Sequence, residues 1–328
     1  MSGSSGAGTS SISSRSWAAQ SGSRRRSASP KRPSTKTRTR ASTSRTRPLP
    51  LIKIPASTIK IGGETMTAMK PANPLEMVAF VLSQQIKDHQ IVYVGTGLPM
   101  VAAILARKTH APNITLVYES GGQNPIAGDM PWSVGDPFTW RKSPIIQEMS
   151  YSFAQAGNGY VDIGFLGFAQ IDMYGNINTH MIGDNFLKPK SRLTGSGGNN
   201  DLSSLTENMV LVGIQNPDKF VKKVDFITSV GHLTGEDSRK KAGLLGNGPI
   251  AVVTNAGVYD FHPQSKRMRV KSLHLGVSFD LAQMATGFEL LKPEAEDIPV
   301  TPSPTPEVLE TLRTKVDPHG VFTSIPGM

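Results

Sequence analysis

The sequence predicts an α/β protein with an open, mostly parallel sheet covered by helices. Three observations predict it. Helical and strand periodicities alternate from Asn73 to Tyr118, short β-type runs recur from Ile163 to Phe261, and the composition changes sharply near residue 65, so that the folded signal begins only after it.

The first helix opens at Asn73, an N-cap residue followed by Pro74 at the first helical position. Leu75, Val78, Val81, Leu82 and Ile86 then fall at helical spacing, and the helix is expected to end near His89. Ile91-Val92-Tyr93-Val94 reads as a strand, Gly95-Thr96-Gly97 as a tight turn, Pro99 to Lys108 as a second helix and Ile114 to Tyr118 as a second strand. This is a βαβ unit, whose right-handed crossover makes the two strands parallel and places ligands beyond their carboxyl ends. From Asp162 to Asp184 the pattern is strand, polar turn (Asp172-Met173-Tyr174-Gly175-Asn176), strand. Further strands are expected at Met209 to Ile214, Val224 to Ser229, Pro249 to Asn255 and the run ending at Phe261. Phe279 to Thr286 and Pro306 to Lys315 read as helices, the latter entered through the linker Pro302 to Pro306. Residues 66–328 are read as one domain without internal repeats.

Residues 1–65 have a different character. They hold 13 of the 35 Lys and Arg and one acid, Glu64, whereas the remainder holds 22 bases and 24 acids. The basicity of the chain thus belongs to this extension, which is rich in Ser, Thr and Arg and too poor in apolar side chains to offset the entropy of ordering. Disorder is expected there. The stretch fits a phosphate-neutralising tail, an organelle transit segment, or an over-extended reading frame with translation starting at Met66 or Met69. Nucleic acid is not the expected partner of the folded part, whose charge is close to neutral. No apolar run reaches the roughly 18 residues that span a bilayer, so no membrane partner is expected. The absence of Cys excludes disulfides, thiolate metal sites and Cys nucleophiles and is compatible with a reducing, cytoplasmic setting.

Several sites of chemistry are also excluded. Gly95-Thr96-Gly97 follows a strand as a dinucleotide fingerprint does, but Met100 stands at its third glycine position, so a close approach of backbone is the simpler reading. The seven His are scattered without metal-ligand spacing, and neither a Gly-x-Ser-x-Gly elbow nor a Walker loop occurs. No metal is expected. Three glycines in Gly195-Ser196-Gly197-Gly198-Asn199 allow backbone amides to converge on a negative oxygen just before a helix. Lys188, Lys190 and Arg192, upstream of that loop, suit either a phosphate-bearing ligand or a solvated surface. Tyr118-Glu119-Ser120-Gly121-Gly122 leaves a lone carboxylate at the end of an apolar strand, where a charge is costly unless it is solvated, paired or used.

Four segments taken together point further. Val94-Gly95-Thr96-Gly97-Leu98-Pro99, Tyr118-Glu119-Ser120-Gly121, Gln170 to Asn178 and Thr194-Gly195-Ser196-Gly197-Gly198-Asn199 resemble, in this order, the β subunits of class I coenzyme A transferases, most of all glutaconate CoA-transferase. The similarity runs from about Glu76 to Asp317-Pro318 and leaves the basic extension without a counterpart. The resemblance implies an open α/β fold of the NagB/RpiA-like type, an active site shared with an α subunit, coenzyme A as co-substrate with no bound cofactor, and Glu119 as the nucleophile. It also implies oxyanion or CoA contacts at Gly195, Gly197, Gly198, Asn199, Gly95 and Gly97. Relatives acting on steroid ring-derived CoA esters lack Glu at the nucleophile position, so Glu119 favours transfer over hydrolysis. The Asn199-Asn200-Asp201 sequence departs from many class I members and leaves the acyl specificity open. An acyl-CoA or ring-opening hydrolase of the same fold, or a non-catalytic binding protein with a basic tail, are the alternatives.

Overall fold

The structure, a computed structural model of the chain, describes residues 69–126 and 130–324. The extension expected to be disordered, residues 1–65, lies outside the described residues.

Helix α1 (Pro74–Ser83) starts on a reciprocal cap. Asn73 Oδ1 accepts from the amides of Leu75 and Glu76, and Glu76 Oε2 accepts from the Asn73 amide. The helix stops earlier than the apolar spacing suggested. After Ser83 the amides of Gln85 and Ile86 turn to carbonyls three residues back, which tightens the chain into a turn while Ile86 stays buried.

The chain continues through β1 (Ile91–Val94), α2 (Leu98–Lys108), β2 (Thr115–Tyr118), β3 (Gly122–Gln123), β4 (Ile145–Ile146), α3 (Met149–Gly157), β5 (Ile163–Gly167), β6 (Gln170–Ile171), β7 (Ile177–Asn178), β8 (Met181–Ile182) and β9 (Ser191–Arg192). It ends with α4 (Asn199–Leu205), β10 (Asn208–Gly213), α5 (Ser238–Lys241), β11 (Pro249–Thr254), β12 (Gly257–Phe261), β13 (Met268–Leu273), α6 (Phe279–Met284), α7 (Pro306–Thr311) and a π turn, Leu312–Val316.

One nine-stranded sheet has the order β13-β12-β11-β10-β5-β1-β2-β3-β4. Its centre, from β11 to β2, is parallel, and both margins are antiparallel. The expected mostly parallel arrangement is therefore present in the core of a mixed sheet, together with its βαβ unit. Alternation along the strands feeds two apolar layers: Val92, Val94, Leu116 and Tyr118 face α1, α2 and the carboxyl-terminal helix, whereas Tyr93, Val117, Leu166 and Leu211 pack with the α4 and α6 side chains Leu202 and Ala282. Residues buried on both faces explain why these strands read as nearly continuous apolar runs.

The strand expected at Val224 to Ser229 does not form. Its side chains are used locally: Asp225 Oδ2 accepts from the Gly183 amide and from Gln170, and Phe226 packs on His180 and Phe186. A single bridge between Ser229 and Ile177 is the remnant of pairing.

Candidate active site

From β1 the chain runs outward to β2, then crosses back to β5 on the other side of β1. The strand order reverses there, and open α/β sheets bind ligands beyond the strand carboxyl ends at such a point. A cavity of about 850 Å³ opens at this place. Its walls come from the ends of β1 (Tyr93 to Thr96) and β5 (Phe165 to Ala169), from Glu119 after β2, and from the loop Arg192 to Asn199.

Glu119 is held by the turn that follows β2. Gly121 has φ +95, and a Cβ there would stand 1.7 Å from the Gln147 carbonyl oxygen, so only glycine allows the later segment to cross so closely. Gln147 donates its amide to Gly121 O, and Ser120 Oγ shares a 2.7 Å hydrogen bond with Thr139 Oγ1. Both flanks of the carboxylate are thereby fixed. The carboxylate itself is half-buried and, among the described residues, has neither a hydrogen-bond partner nor a cation in salt-bridge range. Burial, then the nearby charge of Asp201, pushes its pKa above the ordinary carboxylate range.

The glycine loop meets Glu119 from above. A Cβ on Gly198 would lie 3.3 Å from Glu119 Oε1 and 2.4 Å from Cζ of Phe153 on α3, so the loop packs closely against both the nucleophile candidate and the Phe153 ring. Gly195 and Gly197 have φ of +94 and +49, the conformations that turn this loop into α4. The Gly195 amide donates to Thr179 O and the Asn199 amide to Ser196 O, so both are engaged within the fold. The amides of Thr194, Ser196, Gly197 and Gly198 have no such backbone partner among the described residues, so those of Gly197 and Gly198, the latter set against Glu119, are among the donors available to an oxygen in the cavity.

Of the other residues singled out in the sequence, Gly95 lines the cavity, with Phe165 O 3.0 Å from the position of its missing Cβ. Gly97 stands outside the lining as the φ +85 residue that starts α2. Arg192 reaches the cavity wall, its guanidinium 4.5 Å over the Phe186 ring, while Lys188 and Lys190 do not line it. Tyr93, Phe153 and the Phe165 to Ala169 wall were not singled out in the sequence. Tyr93 had one available signal, since strand alternation puts it on the face of Val117 and Glu119. Phe153 had none, because it arrives from a helix distant in sequence. Among the described residues no three His, Asp or Glu side chains gather as a metal site, and no helix is long and apolar enough to cross a membrane.

A parallel sheet core covered on both faces thus carries, at its switch point, a partly buried carboxylate that has no hydrogen-bond or salt-bridge partner among the described residues. The Coenzyme A transferase family profile matches residues 75–281, and the chain belongs to that family. It is 38% identical to one subunit of the 3-oxoadipate CoA-transferase of Pseudomonas knackmussii, over 73% of this chain and 91% of the relative. It is 33% identical to one subunit of the glutaconate CoA-transferase of Acidaminococcus fermentans, over 76% of this chain and 95% of the relative. The crystal structure of glutaconate coenzyme A-transferase from that organism superposes with a TM-score of 0.72 over 77% of this chain and 98% of the other. A more distant relative, the cholesterol ring-cleaving hydrolase IpdB subunit of Mycobacterium tuberculosis, is 27% identical over 75% of this chain and 95% of the relative.

Proposed function

We propose that this chain is the β subunit of a heteromeric CoA-transferase that moves CoA from an acyl-CoA of dicarboxylate or 3-oxoacid type to a carboxylate acceptor through a glutamyl-CoA thioester on Glu119. The observation that carries the reading is the Glu119 carboxylate, at the cavity wall without a hydrogen-bond or salt-bridge partner among the described residues and 3.3 Å from where a Gly198 side chain would begin. An ion-paired surface Glu would be quiescent. A carboxylate stripped of partners and partly of water is a competent nucleophile.

The chemistry requires a carboxylate. Glu119 adds to the acyl-CoA thioester carbonyl, and the resulting tetrahedral species expels CoA thiolate to leave a mixed anhydride. The thiolate then adds to the glutamyl carbonyl, the acyl group departs as a carboxylate, and the thioester remains on the protein with the activation energy conserved. The acceptor carboxylate runs the same steps in reverse. The Gly197 and Gly198 amides face the oxyanions, each well-aimed donor contributing about 3 kcal/mol. The apolar wall from Phe165 to Phe168 limits water, which would otherwise hydrolyse both intermediates. Arg192 at the wall suits the distal carboxylate of a dicarboxylate acyl group. An α subunit completes the site, a chain starting at Met66 suffices for activity, and the enzyme works in the cytoplasm.

The test is acceptor dependence. The chain co-purified with its α subunit consumes acyl-CoA only when a carboxylate acceptor is supplied, with ping-pong kinetics, and the isolated chain is nearly inactive. Acyl-CoA turnover at full rate without acceptor identifies a hydrolase instead, the class to which the IpdB relative belongs.

A further inference from the structure

One buried polar group on a residue that lines the cavity has no hydrogen-bond partner among the described residues. That group is the hydroxyl of Tyr93, a residue 1% exposed, which makes no hydrogen bond to the described residues. Buried polar groups are normally paired, so an orphan beside a candidate nucleophile requires a reason. Tyr118 also has an unpaired buried hydroxyl, but it projects into the opposite layer and does not line the cavity.

The placement of Tyr93 follows from register. Tyr93 on β1 pairs with Val117 on β2, and a period of two puts Glu119 on the same face, one pleat further on. Tyr93 lines the cavity together with Glu119, and its ring is fixed by stacking on Phe153, with centroids 5.5 Å apart and planes at 28°. Phe153 in turn bears on Gly198. Burial, then the charges of Glu119 and Asp201, pushes the phenol's pKa upward, so it remains a neutral O–H at every ordinary pH.

We propose that Tyr93 Oη–H is a catalytic hydrogen-bond donor to the glutamyl carbonyl oxygen of Glu119 while covalent intermediates form on that residue. This rests on Glu119 being the nucleophile. When CoA thiolate adds to the glutamyl carbon of the anhydride, a C–S bond forms and the carbonyl π pair moves onto oxygen. Collapse restores the C=O, breaks the C–O bond to the acyl group and releases it as a carboxylate, with no net proton transfer. Tyr93 keeps its proton throughout. A donor that is unpaired with the resting carboxylate but meets the growing oxyanion stabilises the transition state selectively. It complements the Gly197 and Gly198 amides, which approach from the loop rather than from the sheet.

The test is Tyr93→Phe in the chain assembled with its α subunit, incubated with acyl-CoA alone and followed by intact mass. The expected result is Glu119 adduct formation about 100-fold slower than wild type. The KM for acyl-CoA should change by less than about twofold, and the melting temperature should be unchanged or higher, because ring packing is retained and an unpaired hydroxyl is lost. Replacement of Tyr93 by 3-fluorotyrosine, which keeps the donor, should retain the adduct rate within about threefold. A wild-type adduct rate in Tyr93→Phe overturns the Tyr93 assignment alone, as does a loss confined to KM. No adduct in the wild type overturns the Glu119 reading itself and the Tyr93 role with it.

Discussion

Gly198→Ala is the sharpest perturbation of the site, because its cost is steric and its neighbours are known. Gly198 has φ −83 and ψ 6, a backbone that alanine adopts readily, so conformational strain contributes little. The new methyl would instead stand 2.4 Å from Cζ and 2.7 Å from Cε1 of Phe153, and 3.3 Å from Glu119 Oε1. Ordinary carbon contacts are about 3.5–4.0 Å, so the Phe153 ring must retreat by about 1 Å. It has little room, since it stacks at 5.5 Å on a Tyr93 ring that is itself buried. Overpacking of this kind costs about 1–3 kcal/mol, or roughly 2–10 °C in melting temperature for a domain of this size. A shift of about 1 Å in the nucleophile or the Gly198 amide should lower turnover by about 100-fold. Melting and acyl-CoA consumption are measured together for Gly198→Ala and for the double variant with Phe153→Ala. The added cavity lowers stability, but turnover should recover at least about tenfold in the double variant, because the clash is gone. Gly195→Ala and Gly197→Ala have nothing within 4 Å, so they should lose only what positive φ costs, about 1 kcal/mol, and gain nothing from Phe153→Ala. Wild-type melting and turnover in Gly198→Ala would refute the packing; failure of Phe153→Ala to restore turnover would refute the coupling.

Further perturbations read the electrostatics and the carboxyl-terminal clasp. Since burial and Asp201 raise the Glu119 pKa, the acidic limb of kcat/KM should lie above the ordinary carboxylate range, and Asp201→Asn should move it to lower pH; an unmoved limb contradicts the coupling. A raised folded-state pKa means that the ionised form destabilises the fold, so Glu119→Gln should raise the melting temperature at neutral pH, the gain fading as pH falls through that pKa. Arg313 donates to both oxygens of the buried Glu76 carboxylate and to Lys70 O and Pro71 O, so Arg313→Ala should cost about 3 kcal/mol, or roughly 5–10 °C, measured by thermal unfolding. Because those contacts begin at Lys70, a chain starting at Met66 should keep its melting temperature and its turnover with the α subunit, and a chain that unfolds on this truncation contradicts the proposed boundary.

Much of this architecture could be read from local signals. The Asn73 cap, the β1-α2-β2 unit and Glu119 at the end of β2 depend on residues adjacent in sequence, where capping and periodicity act directly. The two-residue strands β3 and β4 carried no periodicity at all; their existence depends on Gly121 and Gly122 letting the segment at Thr139 to Gln147 approach within contact distance. Helix α3 was equally hidden, because its exposed Met149 and Tyr151 blur the apolar stripe that would mark it. Val224 to Ser229 failed for the opposite reason: a β-type composition was overridden by hydrogen bonds that the Asp225 and Thr228 side chains accept from the Gly183 and Thr179 amides. At the site, residue type singled out Glu119 and the glycine loop, which the fold brings together, whereas the division of the loop amides into engaged and free ones is a tertiary property.

The proposed storage of CoA on Glu119 between two half-reactions is the step that would separate a transferase from a hydrolase of the same fold. The complex is incubated with acyl-CoA in the absence of acceptor, and the intact mass of this chain is recorded before and after hydroxylamine. The expected result is a mass increase equal to CoA in thioester linkage, mapped to the peptide carrying Glu119, removed by hydroxylamine and absent in Glu119→Ala together with turnover. A Glu119→Ala chain that retains the adduct or near-normal transfer would contradict the assignment of Glu119 as the nucleophile.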